Sequence, residues 1–212
     1  TVDDNLAVMT EGQSLAMLTS RLMASFESHF SAAQPDLVMA QGDTTTVMCA
    51  ALTSFYLRIP FAHVEAGLRS FDMDNPFPEE LNRVVASRLA RFHFCPTRRA
   101  AQNVLAEGAA PVAVHVTGNT VKDARHLTTA ALGRNTDSGR AHEILLTAHR
   151  RENFGAPLEN VFRAVRQLCD EFPRLSVLYP VHPNPNVSKP AHALLGNHPQ
   201  ITLTEPLSYP EL

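Results

Sequence analysis

Short apolar runs alternate along the chain with longer segments in which apolar residues recur every three or four positions. The short runs have the length and composition of buried β-strands, and the longer segments have the spacing of amphipathic α-helices. This alternation is typical of parallel sheets covered by helices on both faces, so it predicts an α/β fold. The predicted strands are 37–39, 61–64, 92–95, 112–116, 143–147, 176–181 and 201–203.

The predicted helices lie between these strands. The first is predicted to have Thr10 as its N-cap, with Gln13 at the capping-box position, and to end before Pro35. A later helix has Pro78 in its first turn, where the missing N–H is tolerated. Its apolar spacing predicts a buried face of Leu81, Val84, Val85 and Leu89, and an opposite face with Glu79, Asn82 and Arg83. In the helix opened by Pro157, the predicted buried stripe consists of Leu158, Val161, Phe162, Val165, Leu168 and Phe172.

A polar, glycine-containing stretch without periodicity interrupts this pattern once, and the alternation of strands and helices then restarts. We therefore predict an N-terminal Rossmann-like domain over 1–132, a linker over 133–141 and a C-terminal Rossmann-like domain over 142–212. The second domain has about three strands, fewer than the roughly five or six of an average sheet. We expect both domains to be incomplete, with the chain truncated at its C-terminal end and at its start.

Composition and charge exclude several classes of function. Apolar residues make up 44 % of the chain, which is enough for a core, and no apolar run reaches membrane-spanning length. The formal charge is −3 and there is no basic block, so we expect neither nucleic acid nor membrane as a partner. Cys49, Cys95 and Cys169 are widely spaced, which fits no metal site and favours a reducing, cytoplasmic compartment.

Acidic residues appear three times where a predicted strand or loop gives way to a helix. Asp43 follows the strand near residue 38, Glu65 follows 61–64, and Glu79 opens the helix after Pro78. The carboxyl ends of parallel strands share one edge of the sheet, and ligands bind at that edge. We therefore expect the three carboxylates to converge on one cleft.

Each of these acids also has a plainer interpretation. The stretch 42–46 suits a helix cap as well as a catalytic carboxylate, and its free N–H groups suit an anion. His63 and Glu65 fall on one face of a strand, where a metal pair is conceivable, but the usual metal-ligand spacings are absent and we predict no metal. A general base is the sharper interpretation of Glu65, because a carboxylate removed from water gains proton affinity.

Cationic and imidazole side chains follow the same strand ends. Arg69, Arg83, Arg150 and Arg151 are candidate anion ligands, although isolated arginines are usually solvated surface charges. His149 follows a strand directly, and an imidazole side chain is suited to proton transfer near neutrality. His182 lies in a proline-rich loop. It is a candidate functional imidazole, and the alternative is that it only makes a structural hydrogen bond in a rigid loop.

Six short motifs follow one another along the chain, namely 41–46 (QGDTTT), 63–69 (HVEAGLR), 78–83 (PEELNR), 117–123 (TGNTVKD), 147–153 (TAHRREN) and 179–185 (YPVHPNP). Each is weak alone, but together they cover most of the chain. In this order they resemble the non-hydrolysing UDP-N-acetylglucosamine 2-epimerase family.

The resemblance implies two Rossmann-like halves of glycosyltransferase-B type, with a nucleotide sugar between them. It implies inversion at C2 of UDP-GlcNAc to give UDP-ManNAc, by anti elimination of UDP and its re-addition, for cell-surface polysaccharide synthesis. No cofactor is needed, and relatives of this family are usually homodimers.

The resemblance also implies roles for individual residues. Those matching catalytic positions are Asp43, Glu65, Glu79 and His149. Those matching substrate-binding positions are Arg69, Arg83, Arg150 and Asn153. In some relatives, residues matching Glu79, Arg150 and His182 line a second, allosteric site for substrate.

Two segments of the family pattern are absent from this chain. These are the first strand with its glycine-rich turn and the later segment that grips uridine. We therefore expect this chain alone to bind UDP weakly and to turn over little. The alternatives are a hydrolysing epimerase that releases ManNAc and UDP, a glycosyltransferase of the same architecture, and a non-catalytic nucleotide-sugar-binding remnant.

Overall fold

The protein folds into two compact units, Thr1–Val121 and Lys122–Leu212. The structure, a computed structural model, describes residues 3–10, 12–133, 143–150 and 153–211. Both units have a parallel sheet with helices packed on it, which confirms the α/β prediction. The domain limits at 132 and 142 remain a prediction, and the expected linker lies outside the described residues after Gly133.

The sheet of the first unit has four parallel strands in the order β1-β2-β3-β4. They are β1 Val38–Gln41, β2 Phe61–Val64, β3 Phe92–Cys95 and β4 Val114–Val116. Gln41 is in register with Val64, and Val64 is in register with Phe94. Because all four strands run in the same direction, the loops that leave their carboxyl ends share one edge of the sheet.

Polar side chains cap the free N–H groups of three of the helices that begin in the first unit. The helices that begin there are α1 Leu15–Ala33, α2 Thr45–Tyr56, α3 Glu79–Leu89, α4 Arg98–Ala106 and α5 Thr120–Ala131, the last of which continues into the second unit. A 3-10 turn, Pro111–Ala113, takes the place of the first half of the predicted fourth strand. Ser14, Thr44 and Thr97 each accept a hydrogen bond from the backbone N–H three residues later.

The start of α1 differs from the prediction, because Ser14 rather than Thr10 is its N-cap. Gly12 has a φ of 69°, a left-handed conformation that cannot belong to the first turn of a helix. Gln13 Oε1 nevertheless accepts hydrogen bonds from the N–H and the hydroxyl of Thr10. The polar contact between these residues therefore forms ahead of the helix rather than in it.

The predicted buried face of α3 is partly wrong, because Val84, Val85 and Leu89 are half-buried, with Leu89 packed against the core, but none is fully buried. Its buried residues are Glu80, Asn82, Ala86 and Ser87, whereas Leu81 is 39 % exposed. Glu80 and Asn82 can occupy buried positions because neighbouring loops supply their hydrogen-bond partners. The stripe predicted for α6 is also partly wrong, since Val161, Leu168 and Phe172 are exposed.

The second unit has three parallel strands in the order β5-β6-β7. They are β5 Glu143–Leu145, β6 Ser176–Pro180 and β7 Ile201–Thr204, with helices α6 Ala156–Glu171 and α7 Pro185–Leu195. Its core packs Leu158 and Phe162 of α6 against Tyr179 and Val187. In the described part of the chain, no helix is long and apolar enough to cross a bilayer.

Candidate active site

Asp43 and Glu65 leave the sheet of the first unit side by side. They follow the register pair Gln41 and Val64 on adjacent strands, and the N–H of Gly42 donates to the Val64 carbonyl at 3.1 Å. A Cβ atom placed on Gly42 would stand 3.8 Å from Glu65 Oε2. The two acids therefore lie at one edge of one sheet, as parallel topology predicts.

The Asp43 carboxylate is held by Arg83 of α3. Oδ2 of Asp43 accepts hydrogen bonds from Nε and Nη2 of Arg83 at 2.9 and 2.5 Å. The amide of Asn82 donates to the backbone carbonyl of Asp43 at 2.8 Å. Two consecutive residues of α3 thus fix both the side chain and the backbone of Asp43, and charge-assisted bonds of this kind are the stronger ones.

Glu80 holds Arg83 from the other side and was missed by the sequence interpretation. Its side chain is 1 % exposed, and its carboxylate accepts from Arg83 Nη1 at 3.1 Å and from the Phe71 N–H at 3.0 Å. Burial opposes ionisation of Glu80, but the backbone N–H groups of Ser70 and Phe71 and the Arg83 guanidinium outweigh it and lower its pKa. Asp43, Arg83 and Glu80 therefore form a continuous charged chain.

Glu65 has a backbone conformation that is costly for its residue type. Its φ is 66°, in the left-handed region, which costs a non-glycine residue about 1 kcal/mol or more. Asn119, in the loop between β4 and α5, donates from Nδ2 to Glu65 Oε1 at 3.0 Å. One carboxylate oxygen is thus pinned, and strain of this kind concentrates at functional sites.

His63 is fully buried and supports the Asp43 loop. Its Nε2 lies 2.8 Å from the Gly42 carbonyl oxygen. Burial lowers the pKa of His63, and the Arg69 and Arg83 cations add to this, which favours the neutral ring that can donate from Nε2. Among the described residues, no group of three His, Cys, Asp or Glu side chains could hold a metal ion.

Arg69, a predicted substrate ligand, is buried and paired within the first unit. Its Nε and Nη2 each donate to the Glu107 carboxylate at 2.7 Å, Nη1 donates to the Leu68 carbonyl, and the side chain is 1 % exposed. This bidentate pair secures the loop after β2 to the end of α4.

Glu79, another predicted site residue, is half-buried in the first turn of α3, four residues before Arg83.

In the second unit, two histidines follow neighbouring strands. The rings of His149 and His182 stack in parallel, with centroids 5.5 Å apart and an interplanar angle of 6°. The Tyr179 hydroxyl donates to the Ala148 carbonyl at 2.8 Å and so anchors the residue before His149. His182 Nδ1 accepts from the Asn184 N–H at 3.1 Å, which fixes the orientation of this ring.

The remaining predicted residues of this unit lie just beyond His149. Arg150 and Asn153 are exposed, and the Asn153 N–H donates to the Arg150 carbonyl at 3.1 Å. Arg151, a further candidate anion ligand, lies outside the described residues. Each unit thus presents polar side chains beyond the carboxyl ends of its strands, where ligands bind in open parallel sheets.

Comparisons with known proteins identify the family. The chain is 44 % identical over 209 residues to the UDP-N-acetylglucosamine 2-epimerase of Bacillus subtilis, covering 97 % of this chain and 55 % of that protein. The UDP-GlcNAc 2-epimerase of Neisseria meningitidis, solved bound to UDP-GlcNAc, superimposes with a TM-score of 0.94 at 37 % identity. That match covers 100 % of this chain and 60 % of the other.

A third match is the S. aureus MnaA protein in a co-structure with UDP, with a TM-score of 0.87 and 43 % identity. It covers 94 % of this chain and 55 % of that protein. The chain therefore spans little more than half the length of these relatives. These structural matches also confirm the predicted Rossmann-like units of glycosyltransferase-B type. Because the family model for UDP-N-acetylglucosamine 2-epimerase matches residues 1–212, the chain belongs to the UDP-N-acetylglucosamine 2-epimerase family.

Proposed function

We propose that this chain carries the proton-transfer site of a non-hydrolysing enzyme that converts UDP-GlcNAc to UDP-ManNAc for cell-surface polysaccharide synthesis. The observation that carries the proposal is the placement of Asp43 and Glu65 at one sheet edge, each held by a polar partner. Membership of the family and its UDP-GlcNAc-bound relative support the choice of substrate.

The reaction requires two positioned acid–base groups and a cationic environment. A base removes the C2 proton while the C1–O bond breaks, giving a 2-acetamidoglucal and UDP. A proton is then returned to the opposite face of C2, and UDP adds back to C1. Protons only change place, so the net reaction calls for no redox cofactor. The C2 proton is weakly acidic, so the base must be held close to it in a site that excludes water.

Glu65 is the proposed base for the C2 proton. Asn119 fixes its Oε1, while its Oε2 lies above Gly42, a residue without a side chain to obstruct a sugar ring. Asp43 is the proposed partner acid, since Arg83 holds it in a single orientation on the adjacent loop. A fixed orientation of this kind increases the reaction rate because the side chain loses little further conformational entropy when the transition state forms.

The departing diphosphate needs positive charge and hydrogen-bond donors. We assign this role to Arg83, His149, Arg150 and Asn153. We leave Arg69 out because its side chain is paired with Glu107 and only 1 % exposed, whereas that of Arg83 is 15 % exposed. Glu79 of the first unit and Arg150 and His182 of the second are each proposed to take part in activation by substrate. A cytoplasmic homodimer is the proposed state of the enzyme.

A chimera tests the proposal. The matching segment of the Bacillus subtilis relative, to which this chain is 44 % identical, is replaced by this chain. Product analysis by NMR is expected to show UDP-ManNAc without any added acceptor. Release of free ManNAc with UDP would instead establish the hydrolysing reaction, and a requirement for an acceptor would indicate a glycosyltransferase. A chimera that binds UDP-GlcNAc but leaves it unchanged would support the non-catalytic alternative.

A further inference from the structure

A cavity of about 250 Å³ lies at the opposite edge of the first sheet from Asp43 and Glu65. It is bordered by the end of α3, the end of α4, the residues that enter β3 and the 3-10 turn before β4. Pockets for drug-sized ligands are usually about 300 to 1,000 Å³, so this volume suits a smaller molecule. None of the roles assigned to the candidate active site uses this cavity.

Two buried polar groups in the cavity wall lack partners among the described residues. They are the Ser87 hydroxyl and Nδ1 of His93, in residues that are 7 % and 2 % exposed. Burial lowers the pKa of His93 to about 4, with further lowering by His63 and Arg69, so the ring is neutral at pH 7. Buried polar atoms are nearly always hydrogen-bonded, so both groups point to a bound partner.

The charge around the cavity is positive. Arg88 and Arg91, both exposed, border it. Arg88 Nη1 donates to the backbone carbonyl of Glu107. The Glu107 carboxylate is already paired with Arg69, so it does not cancel the charge of the two other arginines. Apolar side chains complete the wall, namely Ala90, Val104, Ala109, Ala110 and Ala113.

We propose that this cavity is a binding site for a small organic anion. Its carboxylate or phosphate group meets Arg88 and Arg91 at the rim, and a body of a few carbon atoms fills the alanine-walled interior. The Ser87 hydroxyl and Nδ1 of His93 are sealed within the cavity wall, so they hydrogen-bond to the anion only after a small rotation of their side chains. Arginine suits this task because its planar fork of donors matches carboxylate and phosphate oxygens.

NMR of the chain labelled in its histidines tests the site, with the His93 ring resonance assigned through His93→Gln. The probes at pH 7 are butyrate, ethyl phosphate and the neutral isostere butyramide. We expect butyrate or ethyl phosphate to shift this resonance saturably below about 10 mM, and the comparison of the two identifies the preferred oxyanion. Butyramide is expected to bind at least about tenfold more weakly, because it lacks the charge.

Variants separate the cavity from other anion sites. Arg91→Ala removes an exposed cation and is expected to weaken binding by about tenfold or more. Ala110→Leu fills the interior without changing charge and is expected to weaken it likewise. Arg99→Ala, an exposed arginine outside the cavity, and Asp43→Asn, at the other sheet edge, are expected to leave binding unchanged.

Three results would each overturn the proposal. They are equal binding of butyramide and butyrate, an unchanged affinity in Arg91→Ala, and the lack of a saturable shift with either anion. The last result would assign the Ser87 and His93 groups to buried water instead.

Discussion

Replacement of Glu80 by Gln removes a buried negative charge while nearly preserving side-chain shape. In the folded protein this carboxylate accepts from the Phe71 N–H and from Arg83, and it is 1 % exposed. Arg83 keeps Asp43 as an ion-pair partner in the variant, so its charge is not left wholly unpaired. We therefore expect a loss of about 2 kcal/mol, below the roughly 3 to 5 kcal/mol for a fully broken buried pair.

Urea unfolding at a series of pH values measures this loss. Because folding lowers the pKa of Glu80 below its ordinary value of 4.5, its charge stabilises the protein fully above that value. The stabilisation disappears as the pH falls below 4.5 and through the folded pKa. The difference in unfolding free energy between wild type and Glu80→Gln should therefore be largest near neutral pH and shrink in acid.

Glu79→Gln is the matched control, because it makes the same chemical change at the neighbouring residue. Glu79 has no hydrogen bond or ion pair in the described part of the chain, so its replacement is expected to change stability by less than about 0.5 kcal/mol. Equal effects of the two variants, or a difference that grows in acid, would refute the role of Glu80 as the anchor of Arg83.

Three further changes test the structure. Asn119→Ala removes the hydrogen bond that holds Glu65. It should lower the epimerase activity of the chimera by about tenfold to a hundredfold, while the free energy of unfolding changes by about 1 kcal/mol. Unchanged kinetics would contradict the role of Asn119 in positioning Glu65. Gly67→Ala places a Cβ 2.1 Å from the Ala100 carbonyl oxygen, at a residue whose φ is 84°. Urea unfolding should therefore show that the free energy of unfolding falls by about 3 kcal/mol. An unchanged free energy of unfolding would contradict this packing. His93 has a pKa of about 4 in the folded protein, so between pH 6.5 and 4 the protein takes up a proton when it unfolds, and its stability falls as the pH drops through this range. His93→Gln should reduce this loss of unfolding free energy by up to about 3 kcal/mol. An unchanged slope of unfolding free energy against pH would contradict the prediction.

Apolar periodicity predicted the parts of the fold that depend on short stretches of sequence. The strands at 61–64 and 92–95 agree with the structure because burial inside a helix-covered sheet selects a short apolar run. The same rule failed for α3, whose buried positions carry Glu80 and Asn82. An amphipathic pattern cannot identify a buried face whose stabilisation comes from polar partners elsewhere in the chain.

In the candidate site, too, the sequence predicted some features and missed others. The edge location of Asp43 and Glu65 followed from strand direction alone, since parallel strands end together. The partners of these acids did not follow, because Arg83 and Asn119 lie 40 and 54 residues away in sequence. The pairing of Arg69 with Glu107, 38 residues away, was hidden for the same reason. Only the folded structure shows which carboxylate each arginine pairs with.

Deuterium incorporation at C2 of the nucleotide sugar is the most direct test of the proposed chemistry. The chimera that carries this chain is incubated with UDP-GlcNAc in D₂O, and proton NMR follows the C2 signal in wild type, Glu65→Gln and the surface control Arg99→Ala. Proton abstraction by Glu65 predicts loss of the C2 signal in wild type and the control, and a rate at least about a hundredfold lower in Glu65→Gln. Exchange at the wild-type rate in Glu65→Gln would contradict the account.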